Sequence, residues 1–397
     1  MTPPRLWRLI PALGIAQVIS WGALYYSIAV LGGSIRADLE VGETTLFGAY
    51  SWSLLLSGVF APATGRAIDR WGGRAVMSAG SVLGGIALLA IGLAQGVVSL
   101  YFGWSLAGIA MAMTLYDPAF ATLSQHTGAS YRKALTALTL FGGLASTVFW
   151  PLSLGGLSVL GWRETLVGFA LLELLVCLPL HRAFIPPLAA RVPVEVPSPT
   201  VATDAAPPSR VRHAGRAAFI ALAAAFAMNG FVVSALSVHL ITVLEGKSFT
   251  LATAVWAASF IGPMQVAGRA MEFTVGRRLA SRTIGMLAFS GVAVATLLLI
   301  VIEGEMALAL VFALLYGASN GVLTIVRGVV PAELFGRVGF GRTLGRLGAP
   351  ALVARAIAPL ACAGMAAPGA TVVVWLGVLT LFSLAALGAF TMAITRR

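Results

Sequence analysis

Charged residues are scarce in this chain, and their scarcity excludes a water-soluble protein. Only 10% of the 397 residues are charged, whereas 59% are hydrophobic and the mean hydropathy is +0.94. A soluble domain has about 25% charged residues. Apolar runs of about 20 residues, the length that crosses ~30 Å of hydrocarbon, recur from end to end. The composition therefore predicts a polytopic membrane protein.

The chain also lacks the residue patterns of enzymes and of metal sites. Its two cysteines, Cys177 and Cys362, lie inside apolar runs in different halves, which favours buried apolar residues over a disulfide. There is no Walker loop and no cluster of His, Cys and Asp with metal-ligand spacing. The connections between apolar runs are too short for a catalytic domain. We therefore predict no enzyme activity, no metal and no cofactor.

Twelve apolar spans can be placed along the chain. They do not alternate between polar and apolar residues as barrel strands do, so they predict helices. The 45 glycines suit close packing between membrane helices. The predicted fold class is an all-α membrane protein with twelve transmembrane helices. The spans lie near residues 9–31, 44–64, 75–95, 98–121, 134–157, 164–183, 216–244, 250–272, 283–302, 306–328, 343–363 and 370–392.

One long connection divides the spans into six and six. Residues 184–214 are rich in proline and alanine with scattered arginine, which predicts an extended linker on the cytoplasmic side. We therefore expect a first six-helix bundle over 1–183, the linker over 184–214, and a second six-helix bundle over 215–397.

The basic residues predict the orientation in the membrane. Most of the 26 Lys and Arg fall on one side of the spans, which the positive-inside rule makes cytoplasmic. Arg36, Arg163 and Lys247 are placed on the outer side instead. Both termini are thus expected in the cytoplasm, and the membrane is expected to be a bacterial inner membrane. Topology explains the net charge of +12, so we expect lipid and a small molecule as partners, and no nucleic acid.

A short sequence occurs in both halves. Residues 65–69 read GRAID and residues 268–272 read GRAME, each near the end of an apolar run. The first copy belongs to GRAIDRWGGRAV, which resembles the signature loop of the major facilitator superfamily, G-x-x-x-D-R-x-G-R-R/K. The sequence differs from this signature at Gly73, where an arginine is common. The matching positions are Gly65, Asp69, Arg70, Gly72 and Arg74.

This resemblance implies a secondary active transporter. In that family two pseudo-symmetric six-helix bundles enclose a cavity that opens alternately to each side, and the signature loop helps to hold the cytoplasmic side shut. We expect Asp117 to pair with Arg66, Arg70 or Arg74, and Glu333 to pair with Arg269. Two other interpretations remain open: plain anchors of helix ends, or parts of a substrate or proton site. The gating candidates are Gly65, Asp69, Arg70, Arg74, Asp117, Arg269, Glu272, Arg327 and Glu333.

A charge near the middle of the eleventh span marks the candidate substrate site. Arg355 in lipid would cost from ~2.5 to more than 10 kcal/mol, so it should face a cavity or a partner. Its planar fork suits a carboxylate or another anion, and a structural ion pair is the alternative. Aromatic and polar residues on other spans favour a cavity for a medium-sized organic molecule. The substrate-binding candidates are Arg355, Gln17, Trp21, Tyr25, Asn229, Trp256, Tyr316 and Asn320.

Three residues are candidates for proton coupling. Glu173 lies within the sixth span, where a lone carboxylate should be protonated or paired. His239 lies in the seventh span, and Asp38 follows the first. No set of residues specifies the ion, so coupling to a proton and coupling to another ion both remain open.

The sequence therefore predicts a monomeric secondary active transporter for a small organic solute. Arg355 favours an organic anion, as does a similarity of the tyrosines in the first span to the monocarboxylate and oxalate transporter branch. A multidrug or metabolite exporter is the alternative. A membrane receptor on the same fold that does not transport is a third interpretation.

Overall fold

The protein is helical throughout the residues that the structure describes. This structure is a computed structural model, and it describes residues 6–127, 131–187, 215–274, 279–335, 340–363 and 370–395. In these ranges eleven helices are long and apolar enough to cross a membrane. They are Arg8–Leu39 (α1), Glu43–Gly92 (α2 and α3), Val97–Thr127 (α4), Ala137–Val159 (α5), Trp162–Phe184 (α6), Arg216–Glu245 (α7), Leu251–Glu272 (α8), Ser281–Val301 (α9), Met306–Phe335 (α10), Arg346–Ala363 (α11) and Val372–Thr395 (α12).

The longest of these helices makes two crossings. Glu43–Gly92 has 50 residues, which would extend ~75 Å as one straight helix, more than twice the hydrocarbon thickness. Gly72 interrupts it with φ 81° and ψ 156°, a backbone conformation that is essentially restricted to glycine. The segment therefore divides into α2 (43–71) and α3 (73–92), and the expected twelve crossing helices are confirmed.

Two crossing helices contain a turn of π-helix that the sequence analysis did not predict. In α1 the turn is Gly22–Tyr26, and in α6 it is Glu173–Cys177. A π-turn inserts an extra residue, so it changes which side chains face each neighbour, and such turns are frequent at functional sites. Both turns contain predicted site residues, Tyr25 and Glu173.

The helices form two bundles, α1–α6 and α7–α12, with separate hydrophobic cores. One core is built almost wholly from the first half, around residues such as Leu24 and Leu100, and another almost wholly from the second half, around Phe289 and Leu376. Most of the predicted linker, 188–214, lies outside the described residues. We call the membrane side that carries Gly72 the motif side, and the side that carries Glu40 and Lys247 the opposite side.

The three basic residues that are exceptions to the predicted orientation pattern form ion pairs on the opposite side. The guanidinium of Arg36 lies 2.6 Å from the carboxylate of Glu43, and that of Arg163 lies 2.7 Å from Asp38. The ammonium of Lys247 lies 2.6 Å from Glu303 and also donates to a backbone carbonyl. Each of these three positive charges is therefore paired with a carboxylate on the opposite side.

Candidate functional site

The two bundles are in direct contact in the halves of their helices that face the opposite side. The backbone N–H of Leu360 in α11 donates to Ser51 Oγ in α2 at 3.1 Å. The ring of His239 in α7 packs edge-on against Phe47 in α2, with centroids 4.3 Å apart. We call Phe47, Ser51, His239, Pro359 and Leu360 the opposite-side seal, because they join the bundles at this end of the interface.

A proline in α11 explains why this seal contains backbone hydrogen bonds. Pro359 has no N–H, so the carbonyl of Arg355 loses its partner within the helix. Ser234 Oγ donates to that carbonyl at 2.8 Å, and His239 Nε2 donates to the carbonyl of Pro359 at 2.9 Å. Side chains of α7 and α2 thus supply hydrogen bonds to backbone groups around the kink. Such bonds are needed because an unpaired backbone group is costly inside a membrane.

A cavity lies between the bundles on the motif side of this seal. Its empty space, including the part open to solvent, is about 310 Å³. On its motif side Asp117 in α4 and Thr324 in α10 are exposed. The seal therefore closes the opposite end of the interface, and exposed polar side chains lie on the motif side of the cavity. Its lining residues are Tyr26, Ser146, Trp150, Val233, Leu236, Ser237, Leu240, Ile261, Gln265, Tyr316 and Asn320.

Aromatic side chains of the first bundle form part of the cavity wall and a cluster behind it. The π-turn of α1 carries both Tyr25 and Tyr26, whose ring centroids are 5.1 Å apart. Tyr26 packs edge-on against Trp150 at 5.7 Å, and Trp21 packs against Tyr25 at 5.0 Å and against Tyr116 at 5.1 Å. Predicted residues Trp21 and Tyr25 thus belong to one aromatic cluster behind the lining residue Tyr26.

Arg355 brings positive charge to the cavity from the second bundle. It lies close enough to Asp117 and to the cavity tyrosines Tyr26 and Tyr316 for its charge to act on them. Its buried Nε has no hydrogen-bond partner among the described residues, and it forms no ion pair within 4.0 Å there. The guanidinium is therefore available to a ligand.

Two further arginines lie near Arg355. The charge of Arg355 acts on Arg327 in α10, and the Arg327 guanidinium lies 5.8 Å from the ring centroid of Phe226. Arg269 in α8 is 4% exposed and its charge acts on Tyr26 and Tyr116. Three guanidinium groups thus lie near one another and near the cavity tyrosines, and among the described residues Asp117 is the acid on which Arg355 acts.

Comparison with known proteins identifies the family. Residues 13–339 match the family model described as Major Facilitator Superfamily. The chain belongs to the major facilitator superfamily. A protein described as an uncharacterized 38 kDa protein in the 23S RNA operon of Thermoproteus tenax is 31% identical over 179 residues, which are 45% of this chain and 46% of that protein. This chain therefore matches about half the length of that relative.

Solved structures of transporters share the fold. A bacterial homologue of the human lysosomal transporter Spinster, in an inward-facing and occupied conformation, has a TM-score of 0.71 at 14% identity, covering 100% of this chain and 98% of that chain. A point mutant of the nucleoside transporter NupG has a TM-score of 0.72 at 14% identity, covering 98% of this chain and 99% of that chain. At these identities the likeness establishes the fold alone.

The signature loop of this major facilitator superfamily protein is held by a residue that the sequence analysis missed. Gln125 in α4 donates from Nε2 to the carbonyl of Ile68 at 3.0 Å, and its Oε1 accepts from the N–H of Gly73 at 3.4 Å. The absent side chain at Gly73 matters, because a Cβ there would lie 2.0 Å from Thr122 Oγ1. The glycine that departs from the family pattern therefore permits close packing of α3 on α4.

The predicted ion pairs of this loop are wrong for the described conformation. Asp69 and Arg70 are exposed, and Arg70 lies 5.6 Å from the ring centroid of Trp71. Asp117 pairs with no motif arginine among the described residues. It lies ten residues before the end of α4 at Thr127, so it is ~15 Å from the motif-side helix end, and Arg355 is the arginine whose charge acts on it.

The predicted pair of Glu333 with Arg269 is also wrong. Glu333 accepts from Ser281 Oγ at 2.7 Å on the surface. Arg269 is buried instead, and it donates to the carbonyl of Thr139 in α5 of the other bundle and, at 3.4 Å, to the carbonyl of Gly321. The second copy of the repeat therefore contributes an inter-bundle contact. The acid of this copy, Glu272, interacts with a neighbour. In the first copy, Gly65 lies inside α2.

Gln17 stabilises the kink of α4 and does not line the cavity. It is fully buried, and its Nε2 donates to the carbonyl of Thr114 at 2.6 Å, while its Oε1 accepts from Trp21 Nε1 at 3.2 Å. Thr114 needs this donor because residue 118 is a proline and supplies no N–H four residues later. The substrate-binding role predicted for Gln17 is therefore replaced by a structural one.

Replacing Gln17 tests this role directly. We expect Gln17→Leu to destabilise the protein by about 1–3 kcal/mol, because it leaves a buried carbonyl without a donor. Pro118→Ala restores an N–H, so the double variant should recover most of the loss. Thermal unfolding of the wild type, the two single variants and the double variant in detergent measures this coupling. If Gln17→Leu costs as much stability in the Pro118→Ala background as in the wild type, Gln17 does not serve the proline kink.

The remaining substrate candidates differ in position. Tyr316 and Asn320 line the cavity. Trp256 does not, because it precedes the lining residue Gln265 by nine residues, or about two and a half helical turns, and so faces away; it is 50% exposed and packs on Phe260. Asn229 is 2% exposed, and neither atom of its amide has a partner in the described part of the chain.

The three proton-coupling candidates also occupy different places. Asp38 is held by Arg163 in an exposed ion pair on the opposite side, which argues against a role in coupling. His239 belongs to the seal between the bundles. Glu173 is fully buried inside the first bundle and is not among the residues that line the cavity.

Proposed function

We propose that this protein is a secondary active transporter that moves a small organic anion by alternating access. The observation that supports it is the charge at the cavity: Arg355 has an unpartnered Nε and lies near Arg327, with Asp117 as the nearby acid. Positive charge in a low-dielectric cavity attracts an anion strongly, and a guanidinium can bind a carboxylate through two hydrogen bonds. The aromatic cluster would enclose the organic part of the solute.

The conformation fits one state of the proposed cycle. The opposite-side seal closes one end of the interface between the bundles, while exposed Asp117 and Thr324 lie on the motif side. We further propose that the motif side is cytoplasmic, with both termini in the cytoplasm of a bacterial inner membrane, because basic residues concentrate there. The cavity is then open inward. We expect a monomer coupled to a proton or another ion.

A multidrug or metabolite exporter is the second candidate. The aromatic lining, with Tyr26, Trp150 and Tyr316, supports it, because aromatic rings bind many apolar solutes without demanding one charge. The two candidates differ in their requirement for Arg355. An exporter of neutral or cationic solutes would not lose affinity when this charge is removed.

Binding measurements with a matched variant distinguish these candidates. The purified protein would be screened by thermal shift against monocarboxylates, dicarboxylates, and neutral and cationic drugs. We expect carboxylates to stabilise the wild type and Arg355→Gln to weaken binding about tenfold or more, because a charge-assisted hydrogen bond is worth ~1.5–3 kcal/mol. Arg346→Gln, an exposed arginine earlier in α11, is the control and should bind like wild type. Stabilisation by cationic drugs alone, or unchanged carboxylate affinity in Arg355→Gln, would contradict the proposal.

A further inference from the structure

A buried polar cluster inside the first bundle has no role in the cavity. Glu173 in α6 is fully buried, and neither carboxyl oxygen meets the geometry of a hydrogen bond in the described residues. His181, two turns further along the same helix, is also fully buried and its Nε2 has no partner that meets this geometry. Ser20 Oγ in α1 is a third buried polar atom without one. Buried polar atoms whose hydrogen-bonding capacity is not fully used are costly, so this group in one bundle core requires an explanation.

These groups surround one another. The polar side chains that act on the Glu173 carboxyl are Ser20 of α1, Ser81 of α3 and Cys177 of α6. Ser81 Oγ lies 3.0 Å from His181 Nδ1. Gly84 of α3 lies against the acid, because a Cβ there would be in ordinary van der Waals contact with the carboxyl carbon of Glu173, 3.5 Å away. The π-turn Glu173–Cys177 belongs to this same site.

No positive charge balances the acid. The elements packed against it present Ser20 from α1, Ser81 from α3, and the titratable Cys177 and His181 from α6; no Lys or Arg among the described residues acts on the carboxyl. An unpaired carboxylate in the hydrocarbon region is strongly disfavoured, whereas a neutral carboxylic acid is tolerated. The cluster is therefore suited to bind the smallest cation, a proton.

We propose that Glu173 is a proton-binding site of the transport cycle, and that Ser81 and His181 connect it to the motif side. Glu173, Cys177 and His181 are spaced at four-residue intervals and so share one helix face. His181 lies eight residues beyond Glu173, ~12 Å nearer the motif side, and three residues before α6 ends at Phe184. The proton comes from water on that side and forms the O–H bond of the carboxyl.

Helix α1 links this site to the cavity. Ser20, which faces Glu173, directly precedes Trp21 and the π-turn Gly22–Tyr26. That turn carries Tyr26 on the cavity wall. A proton on Glu173 changes the hydrogen bond that Ser20 can make with its carboxyl group. Because Ser20 and the aromatic cluster belong to the same helix α1, a displacement of Ser20 is passed on to the cluster. This proposal rests on the proposed transport function for its physiological meaning, but proton binding itself can be measured without a substrate.

Infrared spectroscopy of the purified full chain tests the proposal. The C=O stretch of a protonated carboxyl group would be followed between about pH 5 and pH 9. We expect a titrating band in the wild type and its loss in Glu173→Gln, whereas Glu305→Gln, which removes an exposed surface acid, keeps it. His181→Asn should keep the band but slow its response to a pH jump at least about tenfold. If Glu173→Gln does not fold, Ser81→Ala must shift the midpoint of the band.

The outcomes separate this proposal from the proposed function. A band that survives in Glu173→Gln, or an unmoved midpoint in Ser81→Ala, would overturn the proton site, as would a response to Na⁺ at constant pH. If the band behaves as expected but no organic anion binds, the proton site stands and the substrate assignment fails. If an organic anion binds and the titrating band is absent, the substrate assignment stands and the proton site fails.

Discussion

Oxidation of a Ser51→Cys, Leu360→Cys double variant is expected to stop transport completely, and a reductant should restore it. The two residues already meet across the bundle interface, with the N–H of Leu360 3.1 Å from Ser51 Oγ. This approach is compatible with the short Cα separation that a disulfide needs. A transporter that works by alternating access must separate these residues in every cycle, so a covalent link there should hold it with the cavity open to the motif side.

The experiment has a clean background and clear controls. The native Cys177 and Cys362 are free and buried; Cys362 would first be replaced by alanine and Cys177 by serine, which keeps a polar group beside Glu173. Each single cysteine variant, treated with the same oxidant, should transport normally, as should the double variant kept reduced. Binding of the solute from the motif side should survive the cross-link. Undiminished transport by a fully cross-linked protein would show that the opposite-side seal does not open.

The second large effect is expected at the signature loop. Gly72→Ala should destabilise the protein by about 1–3 kcal/mol, because a side chain strains the backbone at φ 81° and ψ 156°. Gly65→Ala is the matched control from the same motif: its Cβ would meet no atom within 4 Å, and it lies inside a helix. Alanine is the better helix former, so that change should be neutral or stabilising. Thermal unfolding in detergent measures both.

This comparison decides what the glycine contributes. If Gly72→Ala unfolds at the same temperature as wild type and Gly65→Ala, the positive φ is not required and the reversal between α2 and α3 has another cause. If Gly72→Ala lowers stability and Gly65→Ala does not, the motif glycine is needed for the chain reversal itself, independently of any ion pair made by Asp69 or Arg70.

The fold could be predicted from the sequence because it depends on one-dimensional features. Apolar runs of sufficient length predict crossing helices, and the motif glycine predicts the reversal that keeps Glu43–Gly92 from being one helix. Even the kink of α4 has a sequence signal, since Pro118 leaves the carbonyl of Thr114 without a donor. What the sequence did not reveal is that Gln17, a hundred residues earlier, supplies that donor.

The site was harder to predict because it depends on which helix faces meet. Arg269 carries the same local sequence as Arg66, yet one is buried between the bundles and the other is exposed. Trp256 was predicted to bind the substrate, but it lies on the other face of its helix from Gln265. Only the structure shows that the face with Gln265 lines the cavity. The π-turn in α1 shifts the register after Trp21, so that both Tyr25 and Tyr26 join the aromatic cluster. A regular helical period does not predict this.

Counterflow in proteoliposomes tests the central claim most directly. Vesicles that contain the purified protein would be loaded with the unlabelled carboxylate found by thermal shift and diluted into a trace of the same carboxylate in labelled form. The account predicts that label accumulates transiently with the wild type and with Arg346→Gln, and that Arg355→Gln abolishes the accumulation while its unfolding temperature is retained. Accumulation that is undiminished in Arg355→Gln, or no accumulation by a wild-type protein that binds the carboxylate, would contradict transport of an organic anion through this cavity.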